Sequence, residues 1–307
     1  MKHFALSRSN LMRFFERREL RHFVEDNQIN LLHAHDSHAH TLATLLVRNN
    51  RPLIIVTRRS SGHFHFGSRT KYLARNIRYI AISNHIRDQL MHGGVSDNSI
   101  EVINSMIDLG LFRDVGSKDS HREKRQDRRL ILSAGAFDKS KGYKDAIRAI
   151  HRLSQKRNDF CYYLYGDGPE KENLSNYVEK HDLGDVISMP GWFDNPAEYL
   201  RHSDIFLSPS HREGLNMSII EAMAAGAAVA ASDIPPHRES IDDGKTGLLF
   251  PPGDIEAMTD KINVLLDNPD LAENIRRNAK EKADKFDCRA ITEKIYNLYC
   301  EAVAAIE

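Results

Sequence analysis

Short apolar runs alternate with segments of helical spacing along most of the chain, and this alternation constrains the fold more than any other feature. The runs are rich in branched or aromatic residues and short enough for strands; they lie at 29–35, 52–57, 78–83, 100–104, 130–136, 160–166, 186–191, 204–210, 227–232 and 246–250. Helical patterns separate them, and the segment 84–92 ends at Gly93-Gly94, a typical C-cap. This order predicts parallel sheets with helices on both faces.

A charged segment with almost no apolar residues, 113–129, divides the alternation into two groups. We therefore expect an α/β protein with two facing Rossmann-like domains: a shortened N-terminal domain over 1–112, a linker over 113–129, and a C-terminal domain over 130–307. Ligands of such sheets bind at the carboxyl ends of the strands, so the cleft between the two domains is the expected site.

The composition excludes several classes of protein. Lys and Arg together number 43, as do Asp and Glu, so the basic excess of a nucleic-acid-binding protein is absent. Cys161, Cys288 and Cys300 are too scattered for a disulfide framework, which fits a reducing compartment. No apolar run approaches the roughly 18 residues of a membrane-spanning helix. We expect a cytoplasmic protein, or one that lies on the inner face of a membrane without crossing it.

The segment 208–254 carries the most information about function. Glu213 lies in the loop after a predicted buried strand, and Glu221 lies about one turn into the next helix. Between them, the amides of about Asn216 to Ile219 are the unpaired donors of a helix N-terminus, which favours a diphosphate. A carboxylate one turn in can reach ribose hydroxyls, and one in the preceding loop can reach a sugar beyond the phosphates.

This segment resembles the donor-binding motif of the family 4 glycosyltransferases, retaining enzymes of the GT-B fold. The matching residues are Pro209, Ser210, Glu213, Gly214, Glu221, Ala222, Met223, Ala224 and Gly226. The resemblance implies that Glu213 is a catalytic residue that orients the donor sugar and that Glu221 holds the ribose. It also implies that backbone amides at Asn216, Met217 and Ser218 bind the distal phosphate and sugar. The alternative is that both glutamates are ordinary solvated charges.

A second stretch, 133–150, is similar to another family segment through Gly135, Lys141, Gly142 and Ala149. The resemblance implies that Lys141 neutralises the leaving diphosphate; the alternative is an ordinary surface lysine in a first helical turn. The family's arginine is replaced by Ala136, and a methyl group cannot replace a bidentate phosphate fork. Lys139, Lys144 or a cation of the other domain could compensate.

Aromatic residues follow the predicted strand at 186–191, where the family usually places the nucleotide base. Trp192 and Phe193 are therefore candidates to stack on the base. For Trp192 the alternative is core or hinge packing.

Four histidines, His33, His35, His38 and His40, lie within ten residues and raise the question of a metal site. No downstream His or Cys pattern completes a ligand set, so we expect no metal. The segment resembles the family's D-[IV]-[IV]-H-x-H stretch, which implies that His35 is a catalytic-site residue that hydrogen-bonds the sugar or its phosphate. For the other three we expect packing roles.

Arg58 and Arg59 follow the next predicted strand. They are candidates for the missing phosphate contact or for contact with an anionic acceptor, and we favour Arg59 as a substrate-binding residue. Solvated charges at the rim of the cleft are the alternative.

The family's first strand, its Gly-rich loop and its first long helix have no counterpart at the start of this chain. Truncation, a misassigned reading frame or a short variant whose exposed sheet edge pairs in a homodimer would each explain this. Residues 1–25 interleave basic residues with the apolar side chains Phe4, Leu11, Phe14, Phe15 and Phe23. Such a helix could rest on anionic lipid, although packing on the sheet is the favoured use.

Together these patterns predict a retaining, metal-independent glycosyltransferase with a UDP- or GDP-type sugar donor and no separate cofactor. The expected acceptor is a glycan or lipid-linked glycan of bacterial envelope polysaccharide or lipopolysaccharide biosynthesis. The alternatives are a non-catalytic nucleotide-sugar-binding remnant and a GT-B sugar-nucleotide epimerase, whose acid and base carboxylates the sequence does not provide.

Overall fold

The computed structural model describes residues 10–47, 51–61, 69–72, 76–113, 128–192 and 195–304. These residues form two units: one contains the described residues up to Asn104 together with those from Thr292 onward, and the other contains Ser105–Ile291. Most of the predicted linker, 114–127, and the predicted base-stacking residue Phe193 lie outside the described residues. So do residues 1–9 and the side chains of Leu11, Phe14 and Phe15 in the predicted basic aromatic helix.

Unit 1 is built around a four-stranded parallel sheet whose strands follow the chain order β1-β2-β3-β4. Its elements are α1 (Asn10–Asp26), β1 (Leu31–Ala34), α2 (Ser37–Leu46), β2 (Leu53–Arg58), α3 (Arg69–Tyr72), β3 (Ile77–Ala81), α4 (Asn84–His92) and β4 (Ile100–Val102). The apolar run of β2 is buried from Leu53 to Thr57, as expected for an inner strand of a parallel sheet.

Unit 2 contains a six-stranded parallel sheet and most of the helices. Its elements are α5 (Leu109–Arg113), β5 (Arg129–Ala134), α6 (Tyr143–Ser154), β6 (Phe160–Tyr165), α7 (Lys171–Lys180), β7 (Ile187–Gly191), α8 (Pro196–Leu200), β8 (Ile205–Ser208), α9 (Met217–Ala225), β9 (Ala228–Ser232), α10 (Pro235–Ser240), β10 (Leu248–Phe250), α11 (Ile255–Asp267), α12 (Pro269–Ala283) and the start of α13 (Cys288–Ala304). All six residues of β6 are buried, and α6 packs an apolar stripe that includes Ile147 and Ile150 into the same core.

The strand order of unit 2 places a topological switch point between β5 and β8. The order is β10-β9-β8-β5-β6-β7, so the chain leaves β5 toward β6 and β7 and then returns to the opposite side of β5 as β8. The loops that follow β5 and β8 therefore leave the same edge of the sheet in opposite directions. A crevice at such a point is where open α/β sheets bind ligands.

The division into units differs from the predicted domains in two places. The chain enters unit 2 at Ser105, because backbone hydrogen bonds join Ile107 to Phe286 (2.9 Å) and Cys288 to Ile107 (2.9 Å). The end of α13 belongs to unit 1, where the Tyr299 hydroxyl hydrogen-bonds the ring of His33 on β1. None of the described helices combines the length and apolar content that crossing a bilayer requires.

Candidate functional site

The carboxylate of Glu213, in the loop after β8, is the centre of a polar cluster at the switch point of unit 2. Its Oε1 atom accepts hydrogen bonds from Lys141 Nζ (2.7 Å), Ser210 Oγ (2.9 Å) and Asn216 Nδ2 (3.2 Å). Its Oε2 atom accepts none from the described residues, although only 10% of the side chain is exposed. One carboxylate oxygen is thus fixed by protein donors, and the other is available to a ligand.

Lys141 reaches Glu213 because the loops after β5 and β8 are in backbone contact. The amide of His211 donates to the carbonyl of Ser140 at 2.7 Å. Gly142 follows with φ +68°, and a Cβ at this position would lie 2.1 Å from the carbonyl oxygen of Pro209. Only glycine combines this left-handed conformation with so close an approach.

Gly135, at the carboxyl end of β5, lies beside the same lysine. It has φ +153°, and an added Cβ would lie 2.6 Å from the hydroxyl of Tyr143 and 3.9 Å from Lys141 Cε. Burial raises the pKa of the Tyr143 phenol well above its ordinary value, so this neighbour of the ion pair stays neutral. The structure therefore brings the predicted residues Gly135, Lys141, Glu213 and Asn216 together.

The N-terminus of α9 begins directly after this cluster. Asn216 occupies the N-cap position, but its side chain does not cap the helix and instead donates to Glu213. Within the described part of the chain, the amides of Met217 and Ser218 have no hydrogen-bond acceptor. Unpaired amides and the helix dipole together give this end of α9 a partial positive charge.

Glu221 lies one turn into α9, as the sequence predicts, and is half-buried. Burial raises the pKa of its carboxyl group, because desolvation disfavours the charged form. No described residue donates a hydrogen bond or forms an ion pair with it. A half-buried carboxylate without a protein partner is suited to accept hydroxyl groups from a ligand.

Sequence reasoning misses a second layer of side chains behind Glu213. His237, in α10, is fully buried, and its Nε2 atom lies 3.3 Å from Asn216 Nδ2. Burial lowers the pKa of His237 to about 4. A single histidine in a short helix between two strands gives no signal for this contact, which depends on how α10 packs against the loop after β8.

Trp192 follows β7, the strand at the edge of the sheet. Its exposed fraction is 71%, which contradicts the alternative of core packing. No described contact joins it to Lys141 or Glu213, so its predicted stacking on a base stays a prediction.

His35 and Arg59 lie in unit 1, in the segments that follow β1 and β2. Partial burial of the His35 ring, and then the charge of Arg59, lower the pKa of His35. The ring lies 3.9 Å from that of His33, centroid to centroid. The neighbouring Arg58 donates to the hydroxyl of Tyr72 at 3.1 Å.

The other histidines of this segment differ in their surroundings. His33 Nε2 lies 2.7 Å from the hydroxyl of Thr57, and His40 is 1% exposed beside two tyrosine rings, so packing is confirmed for both. Burial lowers the pKa of each to about 4. His38 is exposed, and its predicted packing role is wrong because it lies on the outer face of α2. The described residues contain no group of three His, Cys, Asp or Glu side chains that could hold a metal ion.

The lysines that could compensate for Ala136 are not part of the cluster around Glu213. Lys139 and Lys144 line a cavity of about 240 Å³ together with the carboxylates of Asp145 and Glu170. Neither lysine contacts Glu213 in the described structure.

Comparison with known families gives two matches that together cover most of the chain. The family described as Glycosyl transferases group 1 matches residues 117–282, and the one described as Glycosyltransferase Family 4 matches residues 2–111. The first contains Lys141, Glu213, Asn216 and Glu221.

Individual relatives are distant. Sulfoquinovosyl transferase SQD2 of Arabidopsis thaliana is 30% identical over 221 residues, which are 69% of this chain and 42% of the relative. Phosphatidyl-myo-inositol mannosyltransferase of Mycolicibacterium smegmatis is 25% identical over 292 residues, 92% of this chain and 74% of the relative. Across the first curated relatives that it matches, the chain spans about half of the relative's length.

Among solved structures, Anabaena Alr3699/HepE in complex with UDP is similar with a TM-score of 0.84 and 19% identity, over 93% of this chain and 82% of that one. The predicted α/β fold of the GT-B type, with two parallel sheets, is confirmed.

Proposed function

We propose that this chain, which belongs to the group 1 glycosyltransferases, transfers a sugar from a nucleotide-diphosphate donor to an acceptor hydroxyl. The observation that carries the proposal is the hydrogen bonding of the Glu213 carboxylate. Three donors fix one of its carboxylate oxygens, and the other has no donor among the described residues. Both oxygens lie beside a lysine and a helix N-terminus without a side-chain cap.

Binding of the donor diphosphate is assigned to the positive groups at this point of unit 2. The amides of Met217 and Ser218 offer hydrogen bonds to phosphate oxygens, and the Lys141 ammonium adds a full positive charge. These groups stabilise the negative charge that grows on the diphosphate as the bond to the sugar breaks. Gly135 keeps the backbone near Lys141 free of a side chain.

The two glutamates are assigned to the two ends of the donor. Glu213 Oε2 accepts hydroxyl groups of the sugar and thereby orients its anomeric carbon. Glu221 accepts the ribose hydroxyls, which replace the hydration that burial removes from its carboxylate. Trp192 is proposed to stack on the base, since a flat exposed ring next to a strand end can cover a purine or pyrimidine.

The transfer is proposed to retain the configuration at the anomeric carbon. The bond from this carbon to the diphosphate oxygen breaks, and the bond to the acceptor oxygen forms on the same face. The acceptor proton moves to the departing diphosphate, so no protein base and no metal ion is required. His35, whose lowered pKa keeps it neutral at pH 7, and Arg59 are proposed to contact substrate from unit 1.

The donor is proposed to carry UDP or GDP, and the first choice is UDP because the similar Anabaena structure contains it. The acceptor is proposed to be a glycan or lipid-linked glycan of the bacterial envelope, handled at the cytoplasmic face of the membrane. The name of the mycobacterial relative, with its phosphatidyl-myo-inositol acceptor, supports the lipid-linked class.

The experiment separates binding from turnover. Wild type, Glu213→Gln and the control Glu179→Gln, which removes the same charge from an exposed position of α7, are titrated with UDP and GDP by calorimetry. They are then incubated with labelled UDP- and GDP-sugars. We expect Glu213→Gln to lose about 100-fold or more in turnover and to keep its nucleotide affinity within about threefold, while the control matches wild type.

A second candidate is a nucleotide-sugar-binding protein without transferase activity, which the replacement of the family's arginine by Ala136 favours. Donor binding by wild type without hydrolysis or transfer would support it. Conversion of the donor to an epimer would instead indicate an epimerase. Equal loss of binding and turnover in Glu213→Gln would contradict the separate roles of sugar and phosphate contacts.

A further inference from the structure

The buried pair of Asn216 and His237 lies directly behind Glu213; the proposed mechanism uses the Asn216 contact with Glu213 but gives His237 no role. Asn216 is 7% exposed and His237 is fully buried. His237 Nδ1 lies 2.8 Å from the carbonyl oxygen of Ser232, and its Nε2 lies 3.3 Å from Asn216 Nδ2. Both ring nitrogens therefore have a partner in the protein.

These partners determine the tautomer of the ring. A carbonyl oxygen can only accept a hydrogen bond, so Nδ1 of His237 carries the ring proton and donates a hydrogen bond to the carbonyl oxygen of Ser232. Nε2 then has a free lone pair and accepts from the amide group of Asn216. If both ring nitrogens carried a proton, the Nε2–H group would face the N–H groups of Asn216. Burial also disfavours the positive charge of such a ring.

The side-chain amide of Asn216, oriented by His237, also contacts the carboxylate of Glu213. Its Nδ2 atom lies 2.8 Å from Ser208 Oγ and 3.2 Å from Glu213 Oε1, besides the 3.3 Å contact with His237 Nε2. Two N–H groups thus face three acceptors, so one N–H group is shared between two of them. With its nitrogen surrounded by acceptors, the amide cannot turn over without placing its oxygen against the carboxylate. The amide is thus held with its donor side toward Glu213.

A second series of hydrogen bonds also links Ser232, at the carboxyl end of β9, to Glu213 Oε1. Ser232 Oγ donates to the carbonyl oxygen of Ser210, and Ser210 Oγ donates to Glu213 Oε1 at 2.9 Å. Both uncharged donors to Glu213 therefore depend on Ser232 at the carboxyl end of β9, one through its carbonyl and His237 and the other through its hydroxyl.

We propose that His237 is a positioning residue for sugar transfer, which acts through Asn216 to hold Glu213 with its Oε2 atom toward the donor sugar. The inference rests on the proposed function, because it gives Glu213 the sugar-contacting role. It adds a residue that touches no substrate and whose effect on turnover passes through one amide group.

Two substitutions separate positioning from simple filling of the core. In His237→Gln the side-chain amide reaches the place of Nε2 and can still accept from Asn216. In His237→Asn the shorter amide reaches the place of Nδ1 and can donate only to Ser232. Both variants are polar and uncharged, and each loses one of the two contacts of the ring.

We expect His237→Asn to lose about tenfold or more in kcat, because a buried contact to the Asn216 amide is lost. The donor KM should change by less than about threefold, since the phosphate contacts remain. His237→Gln should keep kcat within about threefold of wild type. Equal losses of kcat in the two variants, or losses that follow their melting temperatures, would overturn the inference.

A measurement without substrate keeps the inference testable if wild type transfers no sugar, an outcome that would count against the proposed function alone. In ¹⁵N spectra of the full chain, His237 should be the Nδ1–H tautomer throughout pH 5.5–8, and the Asn216 side-chain amide signals should shift in His237→Asn but not in His237→Gln. An Nε2–H tautomer in wild type, or equal shifts in the two variants, would show that His237 does not hold Asn216. An Nε2–H tautomer in the wild-type spectrum would overturn the inference even if a variant fails to fold.

Discussion

Lowering the pH from 7 to 5 should destabilise unit 2 through His237, because the folded protein cannot accept the proton that the unfolded chain takes up. The ring is fully buried, and burial is the main cause that lowers its pKa from 6.5 to about 4. The charged groups that face it act in both directions: Glu213 and Asp233 raise the pKa, and Lys141 lowers it. Their effects partly cancel, and desolvation decides the direction.

The size of the effect follows from linkage. A pKa that is lowered on folding means that the unfolded chain binds more protons between the two values, so stability is full above pH 6.5 and falls as the pH drops toward 4. At about 1.4 kcal/mol per pKa unit, the shift from 6.5 to about 4 corresponds to about 3 kcal/mol over the whole window. About 2 kcal/mol of this should be lost between pH 7 and pH 5.

Urea unfolding of wild type and His237→Gln, followed by circular dichroism at several pH values, isolates this contribution because the other titrating groups are shared. The difference in unfolding free energy between the two proteins should shrink by about 2 kcal/mol from pH 7 to pH 5. A constant difference over this range would refute the reasoning, because it would show that His237 takes up its proton equally in the folded and unfolded chains.

Three further substitutions test other parts of the structure. Gly142→Ala should lower the unfolding free energy by about 2 kcal/mol or more, because a Cβ would meet a backbone carbonyl at 2.1 Å in a left-handed conformation; thermal unfolding measures this. Glu221→Gln should weaken UDP binding by about tenfold without lowering the melting temperature, because burial raises the pKa of this carboxyl and its charge is unfavourable at pH 7; calorimetry and thermal unfolding measure the two effects. Tyr299→Phe should cost about 1 kcal/mol, because a ring nitrogen of His33 loses its partner; urea unfolding measures this.

Two control variants test whether these effects are specific. Gly184→Ala should be neutral, since an added Cβ there meets nothing within 4 Å; a loss equal to that of Gly142→Ala would contradict the steric argument. Tyr296→Phe, in the same helix as Tyr299, should leave stability nearly unchanged, because Tyr296 is 64% exposed and the partner of its hydroxyl, Cys300, is exposed as well. A lower melting temperature in Glu221→Gln would show that this carboxylate has a structural role.

Much of the fold could be predicted because buried parallel strands are distinct in sequence. Each predicted strand is present, and α9 begins at Met217 as expected. Glu213 therefore lies in the predicted loop and Glu221 one turn into the predicted helix. Local signals suffice here, since an apolar run and a helix start are properties of adjacent residues.

The contacts that complete the site could not be predicted in this way. Lys141 and Glu213 meet only because β8 returns to the side of β5, and the strand order is not encoded in any one segment. His237 reaches Asn216 from a different element, and His33 meets Tyr299 across most of the chain. Such pairings depend on tertiary packing, for which spacing and composition carry no signal.

The path of the chain through the two units affects how the protein can be divided. Ser105–Ile291 is one continuous stretch, whereas the rest is supplied by both ends of the chain. Replacing Ser105–Ile291 with the corresponding segment of a relative therefore needs two junctions, near residues 104 and 291. A single junction at the charged segment would leave strand β1 with a foreign helix in place of its own, and the hydrogen bond between His33 and Tyr299 would be lost.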